Sequence, residues 1–121
     1  MSTNSAARKR GDPRMRLATY LEHVVETMSH ADKTGVFALP VDARKVPDYY
    51  QIITEPMDLQ TLRKRAASLE FFNRQQFWEA AHRIYTNSIR YNGAASPITL
   101  QANDVVKAGL AELEVRQYPL G

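Results

Sequence analysis

Apolar positions recur at helical spacing in four stretches of the chain, and a long stretch between the first two has no helical period. Asp12-Pro13 opens the first run, with Asp as N-cap and Pro at the first helical position, where its missing N–H is no loss. Leu17, Tyr20, Leu21, Val24, Val25 and Met28 then share one face, and the helix is predicted to end between Ser29 and Asp32. Residues 33–57 contain Gly35, Pro40, Pro47 and Pro56, and each proline disfavours helix in the residue before it. The same segment holds Val36, Phe37, Leu39, Val41, Val46, Tyr49, Tyr50, Ile52 and Ile53. So apolar a loop is expected to pack onto the body and shape a surface rather than stay disordered.

Asp58 is expected to cap a short second helix carrying Leu59 and Leu62 and ending near Ala67 or Ser68. Asn73, with Gln76 three residues on, forms a capping-box variant, and Phe72 and Phe77 stand at the staple positions around it. Phe77, Ala81, Ile84, Ser88 and Tyr91 continue as the stripe of a third helix that should stop at Asn92. Ser96-Pro97 repeats the cap-plus-proline device for a fourth helix, whose apolar face is Ile98, Ala102, Val105, Val106, Leu110 and Leu113. Gly109 costs that helix roughly 1 kcal/mol against Ala, which suggests a close helix contact. The pattern is all-α: a four-helix bundle with a long loop between the first and second helices.

Composition changes this picture little. The chain has 121 residues, enough for one domain with a modest core, and no cysteine, which excludes disulfides, thiolate zinc sites and thiol nucleophiles. No apolar run approaches a membrane span, and the N-terminus lacks a signal-peptide core, so no membrane partner is expected. The net charge is +3, but Arg8, Lys9, Arg10, Arg14 and Arg16 face only Asp12 within residues 1–16. The basic character therefore belongs to residues 1–16 and not to the rest of the chain, and residues 1–13 are read as a basic, flexible N-terminal tail. Arg8-Lys9-Arg10 has the composition of a nuclear-localisation or phosphate-binding patch, and equally of a solvated linker; a weak nucleic-acid contact through this tail is compatible with either. Arg63-Lys64-Arg65 has no aromatics beside it and reads as a solvated helix face.

No catalytic constellation stands out. His23 has Glu22 and Glu26 nearby and His82 has Glu79, but no second inward acid faces either, so surface histidines and no metal are expected. Gly-rich phosphate loops, nucleophile elbows and paired-carboxylate motifs are all missing from the sequence. No cofactor and no enzymatic activity are expected. The polar–apolar set around the third helix's end is more telling. Asn92 offers a neutral donor and acceptor, Tyr49 a hydroxyl, and Phe37, Val41, Val46, Tyr91 and Ile98 apolar walls, the composition of a small-ligand pocket. Asn92-Gly93 also reads as a left-handed helix stop; the two readings are compatible.

Pro40-Val41-Asp42, Val46-Pro47-Asp48-Tyr49-Tyr50, Ile52-Ile53, Pro56-Met57-Asp58-Leu59 and Tyr91-Asn92 occur in the order and spacing of bromodomains, and residues 14–118 resemble that family. Residues 119–121 are left as the C-terminal end. The resemblance implies a left-handed four-helix bundle whose first long loop and last short loop enclose an acetyl-lysine pocket. Asn92 would hydrogen-bond the acetyl carbonyl, and Tyr49 would reach the same oxygen through an ordered water. Phe37, Val41 and Val46 would line the loop wall, Tyr91 the opposite side, and Ile98 would guard the opening. It also implies a nuclear, non-catalytic reader of acetylated histone or other acetylated protein tails, borne by a larger protein. The alternative is a helical protein- or nucleic-acid-interaction domain with a vestigial pocket. Where many members carry Trp-Pro-Phe at the rim, this chain has Gly35-Val36-Phe37, so a wider and less apolar opening is expected. The segment between Val41 and Val46 is short for the family. Tyr91-Asn92-Gly93 is similar to the form in bromodomains of general transcription initiation factors, without fixing a subfamily.

Overall fold

The first helix starts where its cap stands. In the computed structural model, which describes residues 11–117 and side chains as far as Glu114, α1 runs Pro13–Ala31. The Asp12 carboxylate accepts the Arg14 N–H at 2.9 Å, satisfying one orphan donor of the first turn. Leu21, Val24, Val25 and Met28 are buried, and the Tyr20 hydroxyl donates to the Glu112 carbonyl at 3.0 Å.

Residues 32–58 lie against the bundle, as their apolar content predicts. They also contain a short helix that periodicity does not reveal, α2 (Tyr49–Ile52). The Asp48 carbonyl accepts from Gln51 and Ile52, and Ile53, directly after it, is buried. The segment is fastened at both ends. Phe37 donates its N–H to the Asp32 carboxylate at 3.0 Å, while the carbonyls of Phe37 and Ala38 accept the N–H groups of Leu59 and Gln60. Loop backbone thus satisfies donors that the start of the next helix would otherwise leave unpaired.

That helix, α3 (Leu59–Ala67), is capped by Asp58, whose carboxylate accepts from both the N–H and the hydroxyl of Thr61. α4 spans Arg74–Asn92, with the Asn73 side chain accepting the Gln76 N–H at 2.8 Å. Gln76 reaches back to the Phe72 N–H. The hydrophobic partner differs from the sequence reading. Phe72 is 67% exposed, with the Arg14 guanidinium 4.9 Å from its ring centroid, and Phe71 instead packs edge-on against Phe77. Leu69 sits at φ +62°, a left-handed turn after α3 that comes just before Phe71.

α5 (Pro97–Gln117) buries Ala102, Val105, Val106 and Leu113. Its first turn departs from the expected stripe: Ile98 is 39% exposed and Thr99 is fully buried. At Gly109 an added Cβ would stand 2.8 Å from Met28 Sδ, so α1 and α5 approach as closely as glycine allows. α5 packs on α1 and α4, α1 on α3, and α3 on α4, closing a four-helix bundle with α2 against α4. The regular elements among the described residues are all helices, and none is long and apolar enough to cross a membrane.

Candidate functional site

One end of the bundle carries a cavity of about 150 Å³, room for a single narrow side chain. Its first wall comes from the loop. The Asp42 carboxylate accepts the Arg44 N–H, and the Asp42 carbonyl accepts from Lys45 and Val46. This tight turn sets Val41 and Val46 on the same cavity despite the short segment between them. The Arg44 N–H and guanidinium also hold the Asp42 carboxyl below its ordinary pKa. Tyr50 donates its hydroxyl to the Val41 carbonyl at 2.6 Å, tying α2 to the turn.

Tyr49 and Tyr91 form the next wall, with Tyr50 packed behind Tyr49. Tyr49 packs against Tyr50 edge-on at 5.3 Å and against Tyr91 at 4.9 Å. Tyr91 donates its hydroxyl to Asp48 at 2.7 Å. That hydrogen bond is the main cause raising the Tyr91 pKa, with desolvation and the Asp48 charge adding to it. The Tyr49 pKa is also raised, first by burial and then by Tyr50. Tyr50 and Tyr91 are thus committed to protein partners. Tyr49 carries the hydroxyl with none among the described residues, and it lines the cavity.

α4 supplies Ile84, Ser88, Tyr91 and Asn92, and α5 supplies Ile98. Asn92 is the last helical residue, and Gly93 follows at φ +93°, donating its N–H to Ile89. The helix stop and the cavity residue are therefore adjacent. Asn92 Nδ2 donates to Ser88 Oγ at 3.1 Å, which leaves its second N–H and its Oδ1 without a partner among the described residues.

All seven residues singled out from the sequence, Phe37, Val41, Val46, Tyr49, Tyr91, Asn92 and Ile98, line this one cavity. Sequence reasoning missed Val36, Leu39, Met57, Asp58, Ile84 and Ser88 as lining residues. Ser88 sits one turn before Asn92 on the stripe already recognised, which is the signal that could have found it. Although it lacks a tryptophan, the opening is aliphatic. Val36, Leu39 and Ile98 are 46%, 60% and 39% exposed there.

Elsewhere, His23 lies 3.3 Å from Glu112 and His30 3.4 Å from Glu26, while His82 packs between the rings of Trp78 and Tyr85. Among the described residues no group of three or more His, Asp or Glu side chains is placed to hold a metal. Arg63 pairs with Glu26, and Arg65 with Glu70. Arg8, Lys9 and Arg10 lie outside the described residues.

The family model described as Bromodomain matches residues 21–104. Transcription initiation factor TFIID subunit 1 of Drosophila melanogaster is 40% identical over 116 residues, covering 96% of this chain but 5% of that protein. The histone acetyltransferase GCN5 of Yarrowia lipolytica is 29% identical over 99 residues, 81% of this chain and 21% of that protein. The chain thus spans a small part of these relatives. Among solved structures, Trypanosoma cruzi bromodomain BDF2 superposes with a TM-score of 0.72 at 24% identity, covering 78% of this chain and 84% of that one. A hypothetical bromodomain of Trypanosoma brucei, solved in complex with bromosporine, gives 0.67 at 28% identity over 74% and 77% of the two chains.

Proposed function

This chain belongs to the bromodomain family, and from that premise we propose that it is a non-catalytic reader of acetyl-lysine. It recognises acetylated histone tails and targets a larger nuclear protein to chromatin. The observation that carries the reading is the convergence of an unspent carboxamide N–H on Asn92 and an unspent hydroxyl on Tyr49 upon one apolar cavity.

Acetylation removes the lysine charge and leaves a secondary amide ending in a methyl group. Burying an ammonium between Phe37, Val41, Val46 and Tyr91 would carry a large desolvation penalty, whereas a neutral amide exchanges water for one good hydrogen bond. In this reading the second N–H of Asn92 donates to the acetyl oxygen, and Tyr49 reaches that oxygen through an ordered water. The methyl group enters between Phe37, Val41 and Val46, Tyr91 faces them, and Ile98 flanks the opening. One short side chain offers little contact area, so the dissociation constant should lie on the order of ten to several hundred micromolar. Relatives named as a TFIID subunit and a histone acetyltransferase support the chromatin setting, and the small share of each that the chain covers supports a module within a longer protein.

Calorimetric titration of a histone-tail peptide, acetylated and unmodified, into wild type and Asn92→Ala tests the assignment. Selective binding of the acetylated peptide, weakened in the variant by about 1–3 kcal/mol, is the expected result. Equal binding by Asn92→Ala would remove Asn92 as the anchor.

A further inference from the structure

Beneath Asn92 two hydroxyls are buried between α4 and α5: Ser88, at the cavity wall, is 3% exposed and Thr99 0%. Thr99 does not line the cavity. Its hydroxyl donates to the Ser88 carbonyl at 3.2 Å, and the two hydroxyl oxygens are 2.9 Å apart. A hydroxyl has one proton. With Thr99's proton on the Ser88 carbonyl, the contact between the oxygens is bridged by the Ser88 proton. Ser88 Oγ then has only lone pairs left for its next neighbour, and that neighbour is Asn92 Nδ2 at 3.1 Å. When all three contacts are made at once, the bonds run in one direction, from Asn92 through Ser88 to Thr99 and back to the Ser88 backbone.

We propose that Ser88 and Thr99 are positioning residues, a buried hydroxyl relay that fixes which way the Asn92 carboxamide faces. This deepens the acetyl-lysine reading and rests on it. A carboxamide turned by half a revolution about its last bond exchanges a donor for an acceptor at nearly the same place. A ligand carbonyl meets an attractive N–H in one orientation and a repulsive oxygen in the other. A proton-presenting group beneath Asn92 would favour the wrong orientation. The relay presents a lone pair there and so holds the NH2 group inward, with its second N–H unspent. A valine at position 99 would keep the volume but leave the Ser88 proton without its acceptor. That proton would then turn toward Asn92 Oδ1, and both orientations would be populated. Apparent affinity falls with the competent fraction, so Thr99, which lies outside the cavity lining, acts on binding without touching the ligand.

The test uses Nε-acetyl-lysine, capped as its Nα-acetyl methylamide, titrated by NMR into isotope-labelled wild type, Ser88→Ala, Thr99→Val and Thr99→Ser. Backbone amide spectra report whether each variant is folded. In the free protein, Ser88→Ala and Thr99→Val are expected to shift the side-chain amide pair of Asn92, and Thr99→Ser to leave it nearly in place. Binding is expected to weaken about 3- to 10-fold in the first two and to stay within about twofold in Thr99→Ser, the span of one neutral hydrogen bond. Should Ser88→Ala fail to fold, Thr99→Val and its rescue by Ser carry the test. Unchanged Asn92 side-chain signals in folded Thr99→Val, with wild-type affinity, would overturn the relay. If those signals move as expected but no form binds the ligand, the relay stands and the acetyl-lysine reading falls.

Discussion

Gly93 holds the backbone at φ +93°, ψ +151°, a region that residues with a Cβ almost never occupy. A Cβ added there would meet nothing within 4 Å, so the cost of Gly93→Ala is conformational rather than steric. Stability should fall by about 1–3 kcal/mol, read from the denaturant midpoint; an unchanged midpoint would show that the turn has another way round. The neighbouring tyrosines make a second residue-scale prediction. Folding raises the pKa of Tyr49 and of Tyr91 above the ordinary value of 10.0. A raised pKa means that the folded state holds the proton more tightly. The stabilisation is therefore complete below the ordinary phenol pKa and is lost as pH climbs through the raised one. Phenolate absorbance should show both groups ionising at higher pH than a free phenol, with Tyr49→Phe and Tyr91→Phe each removing one late step. Asp48→Asn should bring Tyr91 back toward the ordinary value, because the hydrogen bond to Asp48 is the leading cause of its shift.

Helix boundaries were legible where capping chemistry is local. Asp12, Asp58 and Asn73 each announce a start, and each carboxylate or carboxamide accepts an N–H from the first turn. Matters decided by tertiary placement were not legible. Sequence periodicity cannot tell which of Phe71 and Phe72 turns inward, because that depends on the backbone path that includes the left-handed Leu69. Nor does it show α2, four residues long and lying after Pro47, or the buried Thr99, a polar residue admitted to the core by its hydrogen bonds to Ser88. Two comparisons test the packing. Phe71→Ala should cost about 3–5 kcal/mol, as loss of a buried aromatic does, whereas exposed Phe72→Ala should cost under about 1 kcal/mol, the scale of an exposed cation–π contact. Equal losses would return the staple role to Phe72. At the α1–α5 contact, Gly109→Ala should destabilise the wild type through Met28 but stabilise a Met28→Ala background by up to about 1 kcal/mol, where only helix propensity remains. Additive effects in the double variant would contradict the close contact.

For the molecule as a whole, the site is built where the loop between α1 and α3 meets α4 and α5. Loop 32–58 is fastened to α3 through Phe37 and Ala38, and to α4 through Glu55, Ile52 and Asp48. At the other side, Gln101 on α5 donates to Asp32 and Thr34 at the loop's start. Burial of the cavity walls and its polar groups therefore depends on contacts far apart in sequence. Apolar composition and the Asn92–Tyr49 pair indicated a neutral-ligand pocket from the sequence, and the family resemblance supplied the ligand. The hydroxyls beneath Asn92 needed coordinates, because nothing local couples residue 88 to residue 99. In the function proposed here, this cavity accepts a lysine only when its charge is gone. NMR shift mapping of one histone-tail peptide, acetylated and unmodified, on the wild-type protein tests that most directly. The acetylated peptide alone is expected to perturb Asn92, Tyr49, Val41, Val46 and Ile98, with an affinity little altered by salt. Perturbation of these residues by the unmodified peptide, or by neither, would contradict that function.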